Sequence, residues 1–82
     1  MPRMRNLRFD SCVGRAIKEQ REKMGMSQGK LGEMVGLSYQ QIQKYENGAS
    51  AISVITLIRI AGALKIHPII LFREIFKRFN QE

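Results

Sequence analysis

The stretch SYQQIQKYEN, residues 38–47, concentrates hydroxyl, phenol, carboxamide and ammonium groups within ten residues. Wound as a helix at about 100° per residue, it places Tyr39, Gln40, Gln43, Lys44 and Asn47 on one side. Ile42, Tyr45 and Glu46 fall on the other side, with Gln41 at the edge. Carboxamides can pair with adenine through N6 and N7 together, and a lysine can donate to guanine O6 and N7 or to a phosphate. A solvated helix face would have a similar composition. The neighbouring elements and the charge of the chain decide between the two.

Ser27 is placed to cap a helix over Gln28–Val35, with Leu31 and Val35 on its buried side. Gly36 ends it in the left-handed conformation that a tight helix–helix turn needs. Leu37 plugs the turn, Ser38 caps the next helix, and Asn47 and Gly48 mark where that helix stops. Upstream, Asp10 or Ser11 is expected to cap a first helix that Gly25 ends. Val13, Ile17, Arg21 and Met24 share its inner face, while Arg15, Lys18, Glu19, Glu22 and Lys23 fall mainly outside. Downstream, residues 49–52 read as a loop and Ser53 as the cap of a fourth helix. The buried strip expected there is Ile55, Ile58, Ala61 and Leu64, with Leu57 and Ile60 beside it. Residues 65–67 lead to a fifth helix opened by Pro68 and running to about Phe79. No polar–apolar alternation of strand length is present. The fold class is all-α, with five helices. A basic arm over residues 1–9 is expected to precede one domain over residues 10–82.

Eighty-two residues suit one small domain, and 44% hydrophobic with 26% charged content is ordinary for a globular chain. Fourteen Lys and Arg against seven Asp and Glu leave a net charge of +7, which favours a polyanionic partner through counterion release. A lone Cys12 and a lone His67 provide neither a disulfide nor a set of zinc ligands, so no metal and no cofactor is expected. The arginine-rich start lacks the apolar stretch of a secretory leader, and residues 52–72 are interrupted by Arg59, Lys65, His67 and Pro68. A cytoplasmic protein, with no membrane partner and no small-molecule ligand, is the expectation. A polar helix face directly after a glycine-hinged helix, in a basic chain, favours DNA over simple solvation.

From Ser27 to Gly48 the chain resembles the helix-turn-helix of phage repressor and Cro proteins and of xenobiotic-response-element-type bacterial regulators. Gln28, Leu31, Val35, Gly36, Leu37, Ile42, Tyr45 and the run Glu46, Asn47, Gly48 carry the likeness, which extends from about Val13 to Leu71. The resemblance implies a five-helix repressor-like domain that binds double-stranded DNA. It implies base-edge positions at Tyr39, Gln40 and Lys44, with Ser38 and Gln43 alongside. It implies phosphate contacts from Gln28 and Asn47, and Ser27, Lys30 and Gln41 are counted with that set. Two features depart from the family pattern. Gly32 stands where alanine is usual, at a cost to the helix of about 0.8–1 kcal/mol. Ala49, Ser50 and Ala51 lack a basic residue, which leaves backbone N–H groups as the expected phosphate donors there.

Arg21 on an apolar face and Glu46 on the inner side of the third helix would each be costly unpaired. The two resemble the family's internal salt bridge, with snorkelling to solvent as the alternative. Arg3, Arg5 and Arg8 could reach a groove or flanking phosphates, or form a solvated tail; the two readings stand level. The last helix spreads Ile69, Leu71, Phe72, Ile75, Phe76 and Phe79 over a broad arc, more than one side of a small core absorbs. The surplus points to an isologous homodimer, with Ile69, Phe72, Ile75, Phe76 and Phe79 as its interface and residues 68–80 as the dimerisation helix. A helix closing only on its own domain is the alternative. Two DNA-reading helices about 34 Å apart would then match an inverted repeat.

The leading function is a homodimeric, sequence-specific transcriptional regulator, a repressor or autoregulator. Size and architecture are similar to controller proteins of restriction–modification systems and to small phage repressors. A different class, an antitoxin-like module that mainly binds a protein, is the alternative. An enzyme is disfavoured, because no Ser/His/Asp or Cys/His set, phosphate-cradling loop or paired carboxylates are present.

Overall fold

A computed structural model describes residues 5–81. They form α1 (Leu7–Lys23), α2 (Gln28–Val35), α3 (Tyr39–Glu46), α4 (Val54–Ala63) and α5 (Pro68–Phe79), with no strand among the described residues. Ser27, Ser38 and Ser53 cap α2, α3 and α4, each Oγ accepting the N–H three residues on at 3.0–3.2 Å. His67 caps α5 with Nδ1, which accepts the Ile69 N–H at 3.1 Å. Gly36 is left-handed at φ 75°, and the Leu37 N–H returns to the Gly32 carbonyl at 2.8 Å to close the turn between α2 and α3.

The first helix begins earlier than the sequence suggests. Its cap is Asn6, whose side chain accepts the Phe9 N–H at 2.9 Å, and not Asp10 or Ser11. Leu7, Arg8 and Phe9 are therefore helical and do not belong to an arm. Side chains of this turn help to hold it. Asp10 lies inside it, where a carboxylate complements the helix dipole, and Phe9 packs edge-on against Phe79 with ring centroids 5.2 Å apart. At the other end Met24 leaves the inner face as the helix stops, and it is exposed.

The core is built by Val13, Ala16 and Ile17 of α1, Leu31 of α2, Ile42 of α3, Leu57, Ile60 and Ala61 of α4, the following Leu64, and Leu71 and Ile75 of α5. The phase of α4 differs from expectation. Ile55 and Ile58 are exposed, while Leu57, Ile60, Ala61, Ala63 and Leu64 are buried. The sequence VITLIRIAGA offers one charged residue to set the phase, Arg59. Ile55 precedes it by four residues and so shares its outward side.

Between α4 and α5 the chain bends by 112°. Lys65 occupies the corner in the left-handed region at φ 55°, and the Ile66 N–H reaches the Ala61 carbonyl at 3.0 Å. Among the described residues it is the only non-glycine with positive φ. No single helix among them is long and apolar enough to cross a membrane.

Candidate nucleic-acid interface

α3 is seated by a buried polar lock. Arg21 Nε donates to Glu46 Oε2 at 2.6 Å and Nη2 to Oε1 at 2.9 Å, a two-pronged pair with side chains 10% and 1% exposed. The remaining Arg21 Nη1 donates to the Met26 carbonyl at 2.7 Å, which ties the same guanidinium to the link between α1 and α2. The hydrogen bond that Arg21 donates to Glu46 outweighs desolvation and raises the Arg21 pKa, so the cation is permanent. Gln28 joins the group, its Nε2 donating to Glu46 Oε1 at 3.0 Å. One carboxylate thereby fastens α3 to both α1 and α2.

A second seat involves no side chain. A Cβ at Gly14 would lie 2.2 Å from the Tyr45 carbonyl oxygen and 2.6 Å from that of Glu46, so α1 and α3 approach to backbone contact there. A Cβ at Gly32 would lie 2.4 Å from the Leu37 carbonyl oxygen. The absence of alanine at position 32 thus accompanies a tight approach of the turn to α2.

With Ile42 and Glu46 buried and Tyr45 half-buried, the rest of α3 is open. Ser38, Tyr39, Gln40, Gln43, Lys44 and Asn47 are exposed, and Gln41 is half-buried. Ser27 and Lys30 are exposed beside them on α2. The serine oxygens at 27 and 38 accept the capping bonds, and each hydroxyl keeps its hydrogen to donate. Gln28 is half-buried, and one N–H of its amide is committed to Glu46. After α3, the Ala49 N–H is bound to the Lys44 carbonyl at 2.9 Å. Ala49 therefore drops out of the backbone donors expected from this loop, and Ser50 and Ala51 remain.

The basic start is used within the protein. Arg5 Nε donates to Asp10 Oδ2 at 3.1 Å and Nη2 to the Gly48 carbonyl at 2.9 Å. Arg8 Nη1 donates to the Phe79 carbonyl at 2.5 Å, and its guanidinium lies 4.0 Å above that ring. Arg3 lies outside the described residues. The apolar surface of α5 also differs from the sequence reading. Ile75 is 2% exposed in the chain's own core, which removes it from any partner surface. Phe79 is covered by Phe9 and Arg8. Ile69, Ile70 and Phe76 on α5 are open and Phe72 is half-buried, while Val54, Ile55 and Ile58 on α4 are exposed apolar residues that the sequence did not place outside. An apolar cleft of about 190 Å³ joins Val54, Leu57, Phe72 and Phe76 to Phe9.

Two short helices at a left-handed glycine turn, the second locked inward and polar outward, define a helix-turn-helix unit. The helix-turn-helix family model matches residues 17–71, and the chain belongs to that family. It is 38% identical over 73 residues to an uncharacterized HTH-type transcriptional regulator, y4wC of Sinorhizobium fredii, covering 89% of this chain and 51% of that one. A second relative from the same organism, y4aM, is 42% identical over 65 residues, covering 79% and 46%. The chain spans about half the length of these curated relatives. Among solved structures, the restriction-modification controller protein C.AhdI from Aeromonas hydrophila is 30% identical with a TM-score of 0.72, covering 82% of this chain and 91% of that one. The clp gene regulator ClgR from Corynebacterium glutamicum shares the fold at a TM-score of 0.84 and 19% identity, covering 90% and 96%.

Proposed function

We propose that this chain is a sequence-specific DNA-binding transcriptional regulator that works in the cytoplasm as a homodimer and reads the major groove with α3. The observation that carries this reading is the division of α3: Ile42 and Glu46 are fixed inward, so Ser38, Tyr39, Gln40, Gln43 and Lys44 are presented together on a rigid helix. These five are the proposed base-edge set. Ser27, Gln28, Lys30, Gln41 and Asn47 are the proposed phosphate set, Gln28 through the amide hydrogen not bound to Glu46. The relatives named as transcriptional regulators support the same reading.

The proposed dimer face is Ile69, Phe72 and Phe76 with Val54 and Ile58 of α4, in place of a face that included Ile75 and Phe79. Selection of bound DNA from a random pool at physiological salt tests the function. Enrichment of an inverted repeat with half-sites one turn apart, about 34 Å, is the expected result. The open apolar face favours a second reading, a module that chiefly binds another protein. That reading predicts no sequence enrichment and only salt-labile DNA binding.

A further inference from the structure

The loop that follows α3 is anchored at its root by the first turn of α1. A Cβ at Gly48 would lie 2.7 Å from Ser11 Oγ and 3.0 Å from its Cα, so the two segments touch. Arg5 bridges them, its guanidinium bonded to Asp10 Oδ2 and to the Gly48 carbonyl. Asp10 is 8% exposed, although it is an acid in a chain of net charge +7. The Arg5–Asp10 pair carries no net charge, so it adds little long-range attraction for phosphate.

Its placement matters more than its charge. At 1.5 Å per residue, eight residues of α3 span about 12 Å, close to the width of the major groove. A helix whose early residues meet base edges therefore delivers its C-terminal cap to the groove wall. Asn47, Ser50 and Ala51 lie at that end, and the Gly48 carbonyl held by Arg5 is where the chain leaves the helix.

We propose that Arg5 is a positioning residue for DNA-backbone contact: with Asp10 it fixes the loop after α3 so that Ser50 and Ala51 meet the phosphates already ordered. The inference rests on the DNA-binding reading above. It opposes the simpler idea that Arg5 itself touches phosphate, and the two differ in sign at Asp10. Removing an acid from a DNA-binding surface should strengthen binding by charge alone. Removing the partner that holds Arg5 should weaken it.

The test measures affinity for the selected DNA against salt for the wild type, Arg5→Ala, Asp10→Asn and the double variant, with amide exchange of Ser50 and Ala51 in DNA-free protein. Each single variant is expected to bind roughly tenfold more weakly, the cost of ordering about one more backbone residue on binding. The double variant should lose no more than either single one. Exchange at Ser50 and Ala51 should quicken in both single variants. Arg5→Ala alters a partly exposed side chain, so it and the exchange data carry the test if Asp10→Asn does not fold. Tighter or unchanged binding by Asp10→Asn overturns the proposal. So does an Arg5→Ala salt slope reduced by about 0.9, the mark of one lost phosphate contact, or exchange that does not change. A wild type that selects no sequence fails the DNA-binding reading itself; a wild type that selects, beside an Asp10→Asn that binds no weaker, fails only the role of Arg5.

Discussion

α1 serves as a shared spine, and it holds α3 and α5 by different means. Each joint includes an arginine–glutamate pair. Under α3 it is Arg21–Glu46, with side chains 10% and 1% exposed, backed by Gln28 and by direct backbone contact at Gly14. At α5 it is Arg78–Glu19, with side chains 26% and 48% exposed, beside apolar burial of Leu71 and Ile75 and the Phe9–Phe79 ring contact. The first pair fixes direction, since a buried carboxylate tolerates few geometries. The second lies on the surface, where water can replace either partner, and the seat of α5 is mainly apolar and less directional. A helix that must present particular side chains at a set angle has the directional joint. The helix with an open apolar face has the looser one.

The largest effect should come from breaking the directional joint. Glu46→Ala leaves the Arg21 cation buried without its carboxylate, and a loss of about 3–5 kcal/mol is expected. Urea unfolding measures it, and thermal stability equal to wild type would show that the pair does not anchor α3. Gly14→Ala probes the same joint without touching charge. Alanine gains helix propensity of about 0.8–1 kcal/mol but must push α3 off α1, an overpacking cost of about 1–3 kcal/mol. Net destabilisation with weakened DNA binding is expected. A more stable variant would mean that the close approach is not required.

The contrast between joints also explains what the sequence discloses. In α2 and α3 the limits are set by local chemistry, through Ser27, Ser38, Gly36 and Gly48, and all of it is readable in order along the chain. The inner side of α3 is readable because Ile42 and Tyr45 interrupt a polar run, and Glu46, four residues after Ile42, falls on their side. In α4 only Thr56, Arg59 and Gly62 break the apolar run, and in α5 the apolar residues spread over a broad arc beside Arg73, Glu74, Lys77 and Arg78, so periodicity fixes the phase poorly. Ile55 and Ile58 turn outward and Ile75 inward against expectation. At the start of α1, Asn6, Asp10 and Ser11 all read locally as caps, and the choice of Asn6 is supported by Phe9 meeting Phe79 and Arg8 meeting the Phe79 carbonyl, 71 residues further on, contacts that no local pattern reports. Gly14 did leave a signal: an isolated glycine within a long helical run costs about 1 kcal/mol and calls for a packing reason.

The corner that aims α5 permits a gain rather than a loss. Lys65 holds φ 55° at a helix end, where glycines, Gly25, Gly36 and Gly48, serve at the other three left-handed positions among the described residues. A side chain there costs about 1–2 kcal/mol, partly offset by the greater freedom of glycine in the unfolded chain. Lys65→Gly is therefore expected to stabilise the fold by about 1 kcal/mol, seen as a raised urea midpoint with an unchanged slope. A lower midpoint would mean that the lysine makes a contact outweighing its backbone strain.

The smallest effect belongs to the exposed joint, and its sign follows from charge. The hydrogen bond from Arg78, followed by its charge and those of Arg15 and Lys23, holds the Glu19 carboxyl below the usual carboxylate range, against a desolvation that raises it. A depressed folded pKa contributes stability that is present above the unfolded value, about 4.3, and is lost as pH falls through the folded value. Solvent screening limits such a surface pair to about 0–1 kcal/mol. Glu19→Gln should therefore be slightly less stable than wild type at pH 7, with the gap closing as pH is lowered from neutral through the unfolded value and below it. Urea unfolding across that range measures the gap. A gap that stays constant in acid would assign the loss to packing at Arg78, and the two joints would then differ in geometry but not in their use of charge.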